Sequence, residues 1–276
     1  MKEIDFAMLA KLVRDRSGLI LTRDKEYLLD ARLLPVVRKH GLSSLEALCA
    51  MLRQKAVASI ERDIVEAMTT NESFFFRDTT PFKLFREMVL PELLAARQSS
   101  KQLRIWCAAC SSGQEPYSLA MILEEERARL AGWRVEIVGT DLSAEMVERS
   151  KAGSYSHFEV QRGLPVQYLT KYFRKSGDRW EILPELRAKV SFRTFNLLDD
   201  FAALGRFDVI FCRNVLIYFD APTKGRVLGR MSSQLAPDGA LFLGGAETVL
   251  GITDRFVPHP TQRGIYVQPQ SLKAAG

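Results

Sequence analysis

The sequence predicts an α/β protein: an open, mostly parallel sheet covered by helices, with a small inserted β-hairpin, preceded by a small all-α N-terminal domain. Three observations carry that prediction. Residues 1 to about 70 place apolar residues at helical spacing, with no β-rich stretch. From residue 103 short apolar strand-like runs alternate with amphipathic segments, the pattern of a parallel sheet packed under helices. The length of 276 residues suits one large domain and one small one, at roughly 150 residues per domain.

Taken in order, Ile4, Met8, Leu9 and Leu12 mark a first helix. Residues 23–40 continue the pattern, with Pro35 as a kink and Gly41 as a stop. Ser44 caps a third helix over about 45–54, and a fourth spans about 57–69. Residues 69–80, TTNESFFFRDTT, break the periodicity. Packing between two domains accounts for the three phenylalanines but leaves Arg77 and the preceding polar residues unexplained. Thr80 and Pro81 read as N-cap and first position of a helix to about residue 97.

The strand LRIWCAA is followed by a glycine-containing turn and a helix over about 115–130. The strand RVEIVGTD leads into the helix SAEMVERSKAG, with Ser143 as N-cap and Gly153 as C-cap. Residues 153–195 are irregular, with a hairpin around Ser176, Gly177 and Asp178. The strand FDVIFCRN, a helix over about 221–235 and the strand GALFLGG complete the alternation. The expected division is a helical domain over 1–70, a linker and connecting helix over 71–97, and an α/β domain over 98–276. The inserted β-subdomain falls at about 172–193.

Lys and Arg number 39 against 33 Asp and Glu, a formal charge of +6 spread without a block of like charges. That argues against a nucleic-acid footprint. No apolar run is long enough to span a membrane. The start, MKEIDFAMLAKLVRDRSG, is acidic early and too briefly apolar for a signal peptide, so a cytoplasmic location is expected. Cys49, Cys107, Cys110 and Cys212 then read as free thiols. With three histidines in the chain, no metal site is expected.

Cys107 and Cys110 have the spacing of a redox pair, but Ser111, Ser112 and Gly113 separate them from the helix start whose dipole would activate a thiol. The same turn reads better as a ligand loop, because its small residues admit close backbone approach at the C-terminal end of a strand. It lacks the G-x-G-x-x-G pattern of dinucleotide sites. Glu115 follows in the first helical turn. Asp141 ends the second strand, where an acid can accept hydrogen bonds from both ribose hydroxyls of an adenosine. Arg213 and Asn214 end a strand that should exclude them from its core, so they face a site, and Tyr218 follows four residues later.

Together the stretches TTNESFFFRD, RIWCAACSSGQEPYSLAMIL, GTDLSAEMVERSKAGSY, FNLL, FDVIFCRNVLIYF and LAPDGALFLGGAE resemble the CheR family of chemotaxis receptor glutamate O-methyltransferases. They run in family order from about residue 69 to 247. The resemblance implies a Rossmann-like S-adenosylmethionine-dependent methyltransferase sheet. It implies cofactor contacts at Asn71, Ser73, Arg77, Ala109, Glu115, Asp141, Leu142, Asn196, Leu197, Arg213 and Asn214. Asp141 would hold the ribose and Glu115 the amino-acid end, while Arg77 and Tyr218 match positions beside the transferred methyl and the substrate. The implied products are a glutamyl methyl ester and S-adenosylhomocysteine.

The implied partners are methyl-accepting chemoreceptors, met through the helical domain by Arg32, Arg38 and Lys39. Pro35 and Val36 stand where the family often has further arginines. The stretch KSGDRWEILPELRAKVSF is short beside the family's β-subdomain that grips a receptor pentapeptide, so no tether is expected. A monomer that binds neither nucleic acid nor membrane is expected. Two competing readings are a nucleic-acid or small-molecule methyltransferase and a non-catalytic cofactor-binding module. The strand end RNVLIYF lacks the Asn-Pro-Pro-aromatic site that holds a flipped base.

Overall fold

Helix α1 (Glu3–Ser17) of the computed structural model, which describes residues 1–274, ends where Gly18 takes the left-handed conformation with φ 79°. A short 3₁₀ turn (Arg23–Lys25) precedes α2 (Tyr27–Lys39), so the second helix starts later than its apolar pattern suggests. Pro35 does not end α2. The carbonyl it leaves without an N–H belongs to Ala31, an exposed residue that water can satisfy. Ser44 caps α3 (Leu45–Gln54), its Oγ accepting from the Ala47 N–H at 3.2 Å. Helix α4 (Ala58–Met68) closes the group. Leu9, Val13, Leu29, Leu33, Leu48 and Ile64 form its core. This unit comprises Met1–Thr70 together with Tyr218–Thr223.

The second unit comprises Asn71–Ile217 and Lys224–Gly276. Its first helix is α5 (Thr80–Leu84), continued through a π-helical turn (Phe85–Val89) into α6 (Leu90–Ala96). The expected cap Thr80 is already helical. Thr79, at φ 45°, makes the turn one residue earlier and caps with no side-chain bond. Phe75 and Phe76 do not await a partner domain; they lie in this unit's own core. Phe75 meets Tyr155 edge-on at 5.0 Å, and Phe76 meets Phe82 at 5.3 Å.

Strand β1 (Gln102–Ala108) leads to α7 (Gln114–Glu125), and β2 (Arg134–Asp141) to α8 (Ala144–Ala152). Helix α7 stops five residues short of its expected end. Few apolar side chains follow Leu123, and residues 126–131 form turns. Ser143 and Gly153 cap α8 as expected, with Ser143 Oγ accepting from the Met146 N–H. The irregular stretch resolves into β3 (Ser154–Ser156), α9 (His157–Gln161), α10 (Val166–Tyr172), β4 (Phe173–Ser176), β5 (Arg179–Ile182), α11 (Pro184–Arg187) and β6 (Val190–Thr194). The expected hairpin is β4 with β5, turning at Gly177 and Asp178. It has a third strand, in the order β3-β5-β4, so the insert starts earlier than residue 172. β6 instead belongs to the main sheet. Strands of three residues show too little alternation to be read from sequence.

β7 (Phe207–Cys212), α12 (Ala221–Gln234), β8 (Leu235–Leu243), β9 (Val257–Pro258), β10 (Ile265–Val267) and α13 (Pro269–Ala274) complete the unit. β8 starts before Gly239, because it pairs with β7 across an irregularity between Phe207 and Val209. The seven-stranded sheet has the order β6-β2-β1-β7-β8-β10-β9. It is parallel except for β10, which runs antiparallel to β8 and β9. From β1 the order runs outward through β2 on one side and β7 on the other. Ligands in open α/β sheets bind at the carboxyl ends of strands at such a reversal.

Candidate active site

The loop after β1 is the first wall of the site. Ala109 and Ser111 hold φ values of 57° and 51°, and Gly113 holds 91°. Only glycine fits at 113: a Cβ there would sit 2.9 Å from Ser150 Oγ at a φ that side chains avoid. The Cys110 N–H donates to the Thr140 carbonyl at 2.9 Å, tying the loop to β2. The Ser111 N–H then donates to Asp141 Oδ2 at 2.7 Å, and the Ser143 N–H to Oδ1 at 3.0 Å. Two backbone donors thus fix the Asp141 carboxylate, which is buried at the end of β2. The Phe195 N–H donates to the Asp141 carbonyl at 2.8 Å, so Asn196 and Leu197 follow beside it. Burial pushes the Cys107 and Cys110 thiols well above the ordinary range, opposite to what a reactive thiolate requires.

The second wall is a charge cluster around one buried arginine, with Glu115 half-buried and Asp78 exposed. Arg213, just past β7, has a side chain only 2% exposed. Its Nη1 donates to Glu115 Oε2 at 2.8 Å, and its Nη2 to Asp78 Oδ2 at 2.6 Å and to the Arg77 carbonyl at 2.9 Å. Its Nε is the one buried side-chain polar atom among the described residues that has no partner. Burial pushes the Glu115 carboxyl up, and Glu247 adds to the push, while Arg213 favours the ionised form.

The third wall is the segment 71–79, at the start of the second unit. The Asn71 carbonyl accepts from Ser111 Oγ at 2.8 Å, and the Phe76 N–H donates to Ser118 Oγ at 3.0 Å. Arg77 Nη1 donates to the Glu72 carbonyl at 2.9 Å. Phe76, Asp78 and Thr79 carry positive φ, as do Ala109, Ser111 and Asn214. Among the described residues only Lys101 is a non-glycine with positive φ outside these walls. Backbone strain of this kind persists where surrounding contacts over-determine it, and it gathers at functional sites.

Sequence reasoning missed Glu247. Its Oε2 accepts from the N–H groups of Asn214 at 2.8 Å and Gly244 at 2.7 Å. Its Oε1 accepts from Val215 at 2.9 Å and Ile217 at 3.3 Å. One buried carboxylate therefore shapes the turn that carries Asn214, whose φ is 60°. A Cβ at residue 244 would come within 2.8 Å of both Asn214 Nδ2 and Glu247 Oε2. The paired glycines before an acid at the end of β8 are the signal that could have found it.

Ser73 and Leu142 are half-buried and Leu197 is buried. Asn196 Oδ1 accepts from the Leu198 N–H at 3.0 Å. Tyr218 is half-buried and groups with the helical unit, where its carbonyl accepts from the Ile20 N–H. Arg32 is reassigned. Its guanidinium donates to the Met68 and Thr69 carbonyls at 2.8 and 3.0 Å and to Thr70 Oγ1. It thus caps the end of α4 and does not stand free for a partner. Lys39 pairs with Asp63, and Arg38 remains exposed. No described helix is long and apolar enough to cross a membrane.

A family model described as CheR methyltransferase, SAM binding domain, matches residues 71–265, and its all-alpha domain matches residues 4–69. The chain is 40% identical over 269 residues to chemotaxis protein methyltransferase Cher2 of Pseudomonas putida, covering 96% of this chain and 98% of that one. It is 43% identical to chemotaxis protein methyltransferase 1 of Pseudomonas aeruginosa, covering 91% and 93%. It is 41% identical to the chemotaxis protein methyltransferase of Vibrio parahaemolyticus, covering 90% of each. The site's chemistry fits S-adenosylmethionine. The buried carboxylate of Asp141 suits a ribose diol, the half-buried one of Glu115 an ammonium, and the unsatisfied Arg213 Nε a carboxylate. The chain belongs to the CheR methyltransferase family and is an S-adenosylmethionine-dependent methyltransferase.

Proposed function

We propose that the protein methylates the γ-carboxylate of glutamates on the cytoplasmic helices of chemoreceptors, giving glutamyl methyl esters and S-adenosylhomocysteine. It does so in the cytoplasm, as a monomer and without a pentapeptide tether. The observation that carries the reading is the Arg213 cluster with Glu115 and Asp78 at the ends of β7 and α7, set beside the fixed carboxylate of Asp141.

Asp141 accepts from the ribose hydroxyls, and Glu115 binds the amino-acid end. Asn71, Ser73, Arg77, Ala109, Leu142, Asn196, Leu197, Arg213 and Asn214 complete the cofactor contacts. Bound there, S-adenosylmethionine supplies a methyl group activated by its sulfonium. No residue of this chain has to remove a proton, because a glutamate side chain with a pKa of about 4.3 is already ionised near neutrality. The work left to the protein is to orient and desolvate that carboxylate. Arg77 donates from Nη1 to the Glu72 carbonyl, and its other N–H groups can orient the substrate. Arg77 therefore acts as a positioning group, not as an acid or base, and Tyr218 is assigned to the substrate. On the helical unit, Arg38 is the exposed cation for the receptor, Lys39 adds a charge that Asp63 already pairs, and Arg32 supports them by holding the end of α4.

The two-residue turn between β4 and β5 supports tether independence, since it offers little loop to grip a peptide. Radiolabelled methyl should appear on receptor-containing membranes as a base-labile ester that releases methanol. Label on RNA that survives base would overturn the reading, as would cofactor binding with no transfer. Folded Arg77→Ala protein should lose most turnover; near-wild-type transfer would remove Arg77 from its role. Micromolar heat on titrating a receptor C-terminal pentapeptide would refute tether independence.

A further inference from the structure

Arg77 shares an aromatic ring with a second arginine. The Phe74 ring lies 5.5 Å from the Arg77 guanidinium carbon and 4.3 Å from that of Arg162. Arg162 also pairs with Glu72 at 2.6 Å, and its side chain is 42% exposed. Its loop is pressed against the same segment: a Cβ at the next residue, Gly163, would lie 2.1 Å from the Phe75 carbonyl. The loop position of Arg162 is therefore fixed by backbone packing and does not depend on its charge.

On either side of Arg162 stand the two most exposed large apolar side chains among the described residues, Phe158 at 71% and Val166 at 75%. Phe158 is on α9, four residues before Arg162, and Val166 opens α10, four residues after it. Two such groups within four residues of one cation are closer together in the chain than singly scattered surface residues. Their composition matches an interface core, with an aromatic and an arginine enriched.

We propose that Phe158, Arg162 and Val166 form a docking surface for the substrate helix, continuous with Arg77. The occupant is an acidic amphipathic helix: its apolar stripe covers Phe158 and Val166, and a carboxylate neighbouring the methylated one pairs with Arg162. The proposal rests on the reading of receptor glutamates as substrate. It deepens that reading by giving the enzyme a means to select among glutamates by their flanking residues. Charge complementarity supports this occupant, because two guanidiniums face one exposed acid, Glu72, on this patch. Continuity with Arg77 supports it further.

The test measures transfer of labelled methyl to receptor-containing membranes as a function of receptor concentration. Phe158→Ser, Val166→Ser and Arg162→Glu, alone and combined, should raise KM for the receptor, the combination by about fivefold or more. The loss should lie in KM more than in kcat, with S-adenosylhomocysteine affinity by calorimetry held within about twofold. Arg162→Lys should recover part of the loss. Glu72→Ala removes the ion pair but keeps the Arg162 charge, and should leave KM close to that of the wild type. An unchanged receptor KM in the triple variant, with wild-type transfer intact, overturns the docking surface alone. A rise in KM on Glu72→Ala equal to that of Arg162→Glu would make Arg162 a mere brace. Absence of base-labile label with the wild type overturns the receptor reading itself, and the surface with it.

Discussion

In the helical unit, buried Asp5 pairs with Arg53 and buried Glu61 with Arg16, and both arginines reach solvent. Every positive φ in that unit's first 70 residues falls on a glycine. In the α/β unit the arrangement is reversed. Arg213 is the buried partner, it holds two acids and a carbonyl, and one of its donors has no acceptor. Six non-glycine residues with positive φ surround it and the Asp141 loop. The first pattern is that of a fold optimised for its own stability. The second is strained and incompletely satisfied, as expected where a ligand supplies the missing contacts.

Arg213→Met leaves Glu115 and Asp78 without their cation and should cost about 3–5 kcal/mol in urea unfolding. It should also abolish S-adenosylhomocysteine binding; a stable variant that still binds would show the cluster to be dispensable. Leu9→Ala opens a cavity in the helical core and should cost about 2–5 kcal/mol. Its cofactor affinity by calorimetry should stay close to that of the wild type, since no ligand-directed polar group lies in that core. A large loss of affinity there would erase the distinction between the two regions.

Glu247→Gln turns an amide NH₂ towards N–H groups that need an acceptor, and should cost about 2 kcal/mol. Because the turn it shapes carries Asn214, cofactor affinity should fall with it, and Glu247→Asp should restore part of both. Loss of stability with affinity intact would make Glu247 a purely structural anchor.

The smallest effects appear in the pH dependence of stability, where the two regions should differ in sign. Burial pushes the Asp63 carboxyl up, but the hydrogen bonds from Lys39 and His40 outweigh it and hold the group below its ordinary 3.8. Its contribution is complete above that value and disappears as pH falls through the lower folded value. Burial first, and then Glu247, raise the Glu115 carboxyl above its ordinary 4.5 despite Arg213. For Glu115 the native state takes up its proton first, so its linkage contribution grows as pH falls from the folded value towards 4.5. Asp63→Asn should flatten the acid loss of stability, by up to about 1 kcal/mol. Glu115→Gln should remove the opposing gain. Unfolding midpoints measured between about pH 3 and 7 separate the two.

Much of this architecture could be read from the chain, and the limits of that reading follow from length and distance. Helices α1 to α4, the caps at Ser44, Ser143 and Gly153, and the strands β1, β2 and β7 each rest on a local pattern over six or more residues or on a single cap. The strands β3, β9 and β10 have two or three residues each and leave no periodicity to detect. The aromatic run was legible as buried but not as to where. Phe75 and Phe76 found their partners in Tyr155 and Phe82, one of them 80 residues away.

The site divides in the same way. Glu115, Asp141 and Arg213 stood out individually, because each is an ionisable residue at the end of an apolar element. That Arg213 binds Glu115 across 98 residues and Asp78 across 135 is a consequence of β7 lying beside β1, which no local pattern encodes. The same holds for Glu247 and for the reassignment of Arg32. The fold class and the helical and α/β parts follow from the chain alone, and the kind of cofactor from its resemblance to a family, because periodicity, caps and motif order are properties of short stretches. The tertiary structure alone decided which charges are paired, which backbone is strained and which side chains are left for a partner, because strand order and burial set those distances.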